Sequence, residues 1–127
     1  MSNEIDPKVC RRAMLCHLIN ITIWIPPFPL FLLLTVIFCL LDAHPFVKAC
    51  GKEVLNFSGS ILLYILLLFT ISIAICGSGA IGASFAFGIG SILILILTHI
   101  IMVVFGGIQV TKGISYHYPF VVRWFHR

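Results

Sequence analysis

Two long runs without a single charged side chain set the limits on what this chain can become. Residues 54–76 and 84–110 contain no Asp, Glu, Lys or Arg and consist mostly of Ile, Leu, Val, Phe, Gly and Ala. A hydrocarbon layer of roughly 30 Å is crossed by about 20 apolar residues in an α-helix, so each run is long enough to span it. A closed β-barrel also satisfies every backbone group in lipid, but it needs repeated short segments of alternating polarity, and these runs show none. Apolar residues make up 61% of the chain and charged residues only 9%, which leaves no material for a soluble domain. The sequence therefore predicts an all-α integral membrane protein, in contact with the lipid bilayer along most of its length.

The first third is apolar too, but differently organised. Residues 1–12 form a polar arm carrying Glu4, Asp6, Lys8, Arg11 and Arg12. Arg11 and Arg12 before an apolar stretch resemble a secretory leader, yet no small-residue cleavage site follows, so the arm is expected to stay in place. Residues 13–41 are interrupted by Pro26, Pro27 and Pro29, and proline removes backbone donors and breaks a helix. Two pieces, 13–25 and 28–41, each reach only about 20 Å, short of an upright crossing. The expected fold is a compact bundle of four helical segments, 13–25, 28–41, 54–76 and 84–110. The first two are short, joined by a Pro-rich turn, and either span or re-enter.

Charge sidedness fixes the orientation. If the prolines mark a turn, Lys8, Arg11, Arg12, Lys48, Lys52, Lys112, Arg123 and Arg127 all fall on one face, and Lys and Arg concentrate in short cytoplasmic loops. Both termini are then cytoplasmic, with the proline turn and the Gly-rich connection facing outward, in a bacterial inner or thylakoid-type membrane. The net charge of +4 does not indicate nucleic acid, because the basic residues are scattered at segment ends and not gathered on one folded face. Five cysteines without a CxxC pair signal neither a disulfide framework nor a zinc site, and read as small packing residues.

No nucleophile, base and orienting acid stand at recognisable spacing, and there is no phosphate loop. The reading is a non-enzymatic chain with no catalytic residue, metal or cofactor. His99, alone among ionisable residues deep in a long apolar run, is the one candidate cofactor ligand, for a pigment or haem, with His17 as a second. The more frequent role of such a histidine is a hydrogen bond to a neighbouring helix. Gly82-xxx-Ala86-xxx-Gly90 runs beside Ala80-xxx-Ser84-xxx-Gly88, and small residues four apart permit close helix packing within the chain or against a partner.

Two further patches stand out. Lys52 and Glu53 precede Asn56 at the start of the third segment, where a carboxylate is favoured by the helix dipole and the three share one side. Asn56 lies just inside the apolar run and must find a partner, so the group caps and anchors the helix, pins the preceding loop, or binds another protein. At the other end, residues 111–127 form an interfacial tail, in which Tyr116, His117, Tyr118, Pro119 and Trp124 supply amphipathic rings and Arg123, His126 and Arg127 supply cationic anchors. This tail is expected to lie along the headgroups.

The same patches carry a resemblance. Residues 44–57, with Pro45, Phe46, Gly51, Lys52, Glu53, Asn56 and Phe57, resemble the Pro-Phe-Val and Gly-Lys-Glu-Ala-Leu-Asn-Phe signature of small bacterial Tic-twenty-like membrane proteins. The closing Tyr116-His117-Tyr118-Pro119 is similar to that family's Tyr-x-Tyr-Pro ending, and His17 and the proline break follow its usual order. The resemblance implies a compact helical bundle related to a subunit of a protein import machinery. Val54 and Ser58 depart from the pattern. The functional expectation is a subunit that binds other integral membrane proteins, as an accessory, assembly or translocation component of a larger complex. The alternative is a self-oligomerising channel or transporter for a small solute or polypeptide.

Overall fold

The computed structural model describes residues 5–25 and 28–124. Pro26, Pro27, His126 and Arg127 lie outside the described residues, as does the side chain of Cys39. The described residues form four α-helices and one 3-10 helix, and no strand is found among them.

Helix α1, Pro7–Ile19, starts where Asp6 caps it: a side-chain oxygen of Asp6 accepts from the Lys8 amide at 2.8 Å, and Pro7 occupies the first turn, where its missing donor costs nothing. It passes directly into the 3-10 helix Asn20–Trp24. Helix α2 covers Phe28–Leu41. Helix α3 runs over Pro45–Gly77, opened by the His44 ring, which accepts from the Phe46 amide at 3.2 Å, with Pro45 in the first turn. Helix α4 covers Ile81–Thr111, and the turn between α3 and α4 uses Gly79 at φ +88°, a conformation natural to glycine. The third segment thus begins nine residues before the uncharged run. Hydropathy marks the stretch that suits lipid, whereas the helix starts at its cap.

α3 and α4 are both long and apolar enough to cross a membrane. They form an antiparallel hairpin about 50 Å long at 1.5 Å per residue. Its two halves differ. Toward the ends that carry Pro45 and Thr111, α3 buries Val47, Val54, Phe57 and Ile61, and α4 buries His99, Val103 and Val110. Beyond Ile61 and before His99 the only buried side chain is Ser84, and Leu66, Phe69, Ile81, Phe85, Leu93 and Ile94 are each more than half exposed.

The N-terminal pair packs only against the first half. Arg12 and Asp42 join the base of α1 to the end of α2 by an ion pair at 2.8 Å. At the other end, Ser58 donates to Asn20 Oδ1 at 2.5 Å and Trp24 reaches His99. Trp24 and Ile23 also line one apolar cavity with Leu62, Ile65 and Ile92. The end of the 3-10 helix at Trp24 therefore sits near mid-height of the α3–α4 hairpin, not level with its far end. The two short pieces form a half-height hairpin whose outer surface is apolar, with Leu30, Leu33, Leu34 and Leu41 exposed along α2.

In the bare half, the two stripes of small residues behave differently. Ser84 Oγ donates to the Ser72 carbonyl at 2.7 Å, and Ser72 Oγ lies 3.2 Å from the Ser84 carbonyl. A side chain at Gly88 would come within 3.2 Å of Ser72 Oγ, whereas Gly82 and Gly90 have nothing within 4 Å of such a position. The Ser84 and Gly88 stripe thus closes the hairpin, and the Gly82, Ala86, Gly90 stripe faces away from the rest of the chain. Gly88→Leu is expected to lower the thermal midpoint in detergent measurably. Gly82→Leu should move stability by no more than about 0.5 kcal/mol, the usual range for surface changes; equal losses in both variants would contradict this assignment.

Candidate functional site

The chemistry-bearing residues collect where the C-terminal tail meets the covered half of the bundle. α4 ends at Thr111, and Gly113 at φ +74° turns the chain back. The tail then climbs the bundle instead of lying along the surface. Tyr116 packs edge-on against Phe105 and brings its hydroxyl 3.6 Å from Met102 Sδ. Tyr118 is buried, with its hydroxyl 2.5 Å from His17 Nδ1. Phe120 adopts φ +56° and is 89% exposed, marking the turn of the tail. The returning arm descends along α3.

Three side chains on one face of α3 hold that turn and its return. Tyr64 donates to the Phe120 carbonyl at 2.5 Å, Ser60 Oγ accepts from the Val122 amide at 2.8 Å, and Asn56 Oδ1 accepts from the Trp124 amide at 3.0 Å. The residues are four apart, so they stack one turn above another. Backbone outside regular structure needs partners for its polar groups, and this ladder supplies them for the Phe120 carbonyl and the Val122 and Trp124 amides. Each bond contributes about 1 kcal/mol net, but a buried partner left unpaired costs about 1–3 kcal/mol.

The slot for Tyr118 is built from stacked rings. Its phenol ring lies on Phe57 with centroids 4.1 Å apart and planes 2° from parallel, and Phe57 in turn stacks with His99 at 5.1 Å and 13°. Gly106 makes the opposite wall: a Cβ there would stand 2.9 Å from Tyr116 Cδ1, 3.0 Å from the Tyr118 hydroxyl and 3.2 Å from His17 Nδ1. No side chain fits.

His99 is placed by Trp24, whose indole Nε1 donates to His99 Nδ1 at 2.9 Å. An indole N–H can only donate, so Nδ1 carries the lone pair and Nε2 carries the proton. That tautomer offers no lone pair at Nε2 to a haem or pigment metal, and the ring serves as a hydrogen-bonded stacking partner. Among the described residues, His17 Nε2, His99 Nε2 and Asn20 Nδ2 are buried without a hydrogen-bond partner. No three His, Cys, Asp or Glu side chains among the described residues could hold a metal ion together.

The two sequence patches thus meet in space. Pro45 starts α3, the Phe46 amide meets the capping His44 ring, and Gly51 is buried. Lys52 is half-buried, and Glu53 is buried 3.9 Å from His117 Nε2. Asn56 Oδ1 accepts from the Trp124 amide of the tail, and Phe57 and Tyr118 stack, with Pro119 at the turn. Sequence reading missed Trp24, Ser58, Ser60, Tyr64 and Gly106. The 56, 60, 64 spacing of polar side chains was a legible signal for a polar strip on one helix face. Gly106 in an otherwise bulky run was another.

Asn56→Leu and Tyr118→Phe are each expected to free the tail, so that trypsin cuts after Arg123 several-fold faster than in the unmodified protein, with helix content unchanged. Cleavage at the unmodified rate in both would contradict the clasp.

Residues 10–125 match the model of a family described as the magnetosome magnetite crystal formation protein family, MamF/MmsF. No curated protein and no solved structure matches the chain. The family match overturns the Tic-twenty-like resemblance. Of the residues that carried the resemblance, Asn56 and Phe57 meet the tail, at the Trp124 amide and the Tyr118 ring, and none gives ground for translocation.

Proposed function

The chain belongs to the magnetosome magnetite crystal formation protein family, and from that membership we propose that it is a non-enzymatic subunit of the magnetosome membrane that contributes to magnetite crystal formation by binding other membrane proteins there. The observation that carries the proposal is the family match over residues 10–125. The physical character of the molecule supports it. α3 and α4 have the length and polarity of membrane-crossing helices, and the outer face of α2 is lined with exposed leucines. Every Lys and Arg among the described residues belongs to α1, the first two turns of α3, the end of α4 or the tail. By charge sidedness, that end faces the cytoplasm.

Carboxylates are the side chains suited to gathering hard iron cations, and those described here are otherwise engaged. Asp6 caps α1, Asp42 is paired with Arg12, and Glu53 is buried inside the bundle. This favours action through protein contacts over a templating surface of the chain's own. In a magnetite-forming host, removal of this chain is expected to change the size distribution of the crystals seen by electron microscopy. The unmodified chain should restore it, and the Asn56→Leu, Tyr118→Phe double variant should restore it only in part. Crystals unaltered by removal would contradict the proposal. Extraction in mild detergent should also recover other membrane proteins in fixed ratio with the chain, and recovery of the chain alone would contradict the partner-binding role.

A further inference from the structure

The two halves of the molecule differ in girth as well as in burial. In the base half, α3 and α4 are joined by α1 with its 3-10 extension, by α2, and by both arms of the tail. In the far half, α3 and α4 stand alone among the described residues, and their large apolar side chains are exposed. A helix with its side chains is about 10–12 Å across, so the base half occupies at least about twice the cross-section of the far half. The step begins at Ile61, about 10 Å beyond Val54 at helical rise, and Trp24 reaches the level of Leu62 and Ile65, about 12–16 Å beyond Val54, which is near the middle of a roughly 30 Å hydrocarbon layer if that layer begins where the charges end.

Both halves present apolar surface, so the step is not the boundary between a water-facing domain and a membrane hairpin. Leu30, Leu33, Leu34 and Ile37 are exposed on α2 in the wide half, and Leu66, Phe69, Leu93 and Ile94 in the narrow half. The apolar cavity of about 360 Å³ lined by Ile23, Trp24, Leu62, Ile65 and Ile92 sits at the step itself, where a ledge meets the two bare helices. The occupant with the chemistry of all these surfaces is lipid hydrocarbon.

From this shape we infer that the protein is a membrane wedge, wide in the leaflet that holds its basic end and narrow in the other, and that it binds preferentially to strongly curved bilayers whose outer, expanded leaflet holds the wide end. The inference rests on the reading that the α3–α4 hairpin spans the bilayer. A wedge inserted in one leaflet relieves packing stress where that leaflet is stretched, which makes binding curvature-sensitive. The polar ladder of Asn56, Ser60 and Tyr64 contributes by fastening the tail within the wide leaflet, so the girth there is part of the folded protein.

The test uses the full chain with Cys39→Ser, labelled at the exposed Cys76, in giant vesicles of phosphatidylcholine and phosphatidylglycerol. Orientation is read from whether an impermeant quencher reaches the label, and narrow tubes are then drawn from the vesicles. With the basic end on the outside, the label is expected to be enriched in the tube about two-fold or more over the parent membrane, and with the basic end inside it should be depleted by a similar factor. Equal density in tube and vesicle for inserted protein of both orientations would overturn the wedge while leaving the spanning reading intact. A label reached from both sides, or protein removed from the vesicles by alkaline wash, would overturn both. Pairing of copies through their narrow halves would appear as two-step photobleaching with no curvature preference, and would also overturn the wedge.

Discussion

A backbone carried into hydrocarbon must satisfy its polar groups within the protein, and most of what distinguishes this molecule follows from how its tail meets that demand. An α-helix does so alone. The tail is extended, so its amides and carbonyls need partners, and α3 supplies them from Asn56, Ser60 and Tyr64 at successive turns. The Tyr118 ring then fills the slot between Phe57 and Gly106, and its hydroxyl finds His17. Four stretches of chain far apart in sequence are tied together there, and loss of the Tyr118 hydroxyl leaves His17 Nδ1 buried without that partner.

The same clasp explains why the base half is wide and the far half bare. α1 is held at its start by the Asp6 cap and the Arg12–Asp42 ion pair, and at its end by Asn20 and Trp24 against Ser58 and His99. The ties end near the level of Tyr64 and Trp24. Beyond that level, the reciprocal contacts of Ser72 and Ser84 and the close approach at Gly88 hold α3 to α4. In water such a hairpin would expose far more apolar surface than soluble monomers carry, whereas in lipid that surface is matched to its surroundings.

Much of the architecture was legible in the sequence because it follows from long-range composition. The uncharged stretches 54–76 and 84–110 announced two helices long enough to cross lipid, and prolines at 26, 27 and 29 announced a break between two shorter ones. What composition does not report is depth. Two helices of about 20 Å are equally compatible with a turn at the far surface and with one at mid-height, and the contacts of Asn20 and Trp24 decide for the second. The packing of the tail is hidden in the sequence for a related reason. Tyr116, Tyr118 and Trp124 have the amphipathic character of interfacial residues, and nothing local to residues 111–127 shows that Tyr118 is buried. That information resides in Phe57, Gly106 and His17. The motif at residues 51–57 drew attention to Asn56 and Phe57, which meet the tail, but its similarity to another family did not indicate the family to which the chain belongs.

The half-height arrangement is tested most directly with the two tryptophans the chain already carries. In bilayers containing lipids brominated at defined positions along the acyl chain, the fluorescence of the Trp124→Phe variant reports Trp24 alone, and that of Trp24→Phe reports Trp124 alone. The account predicts that Trp24 is quenched most by bromine near the chain ends, at the bilayer centre, and Trp124, whose indole lies beside Gly59, most by bromine at shallower positions. Strongest quenching of Trp24 by shallow bromine would place the first turn at a membrane surface and contradict the half-height hairpin on which the account rests.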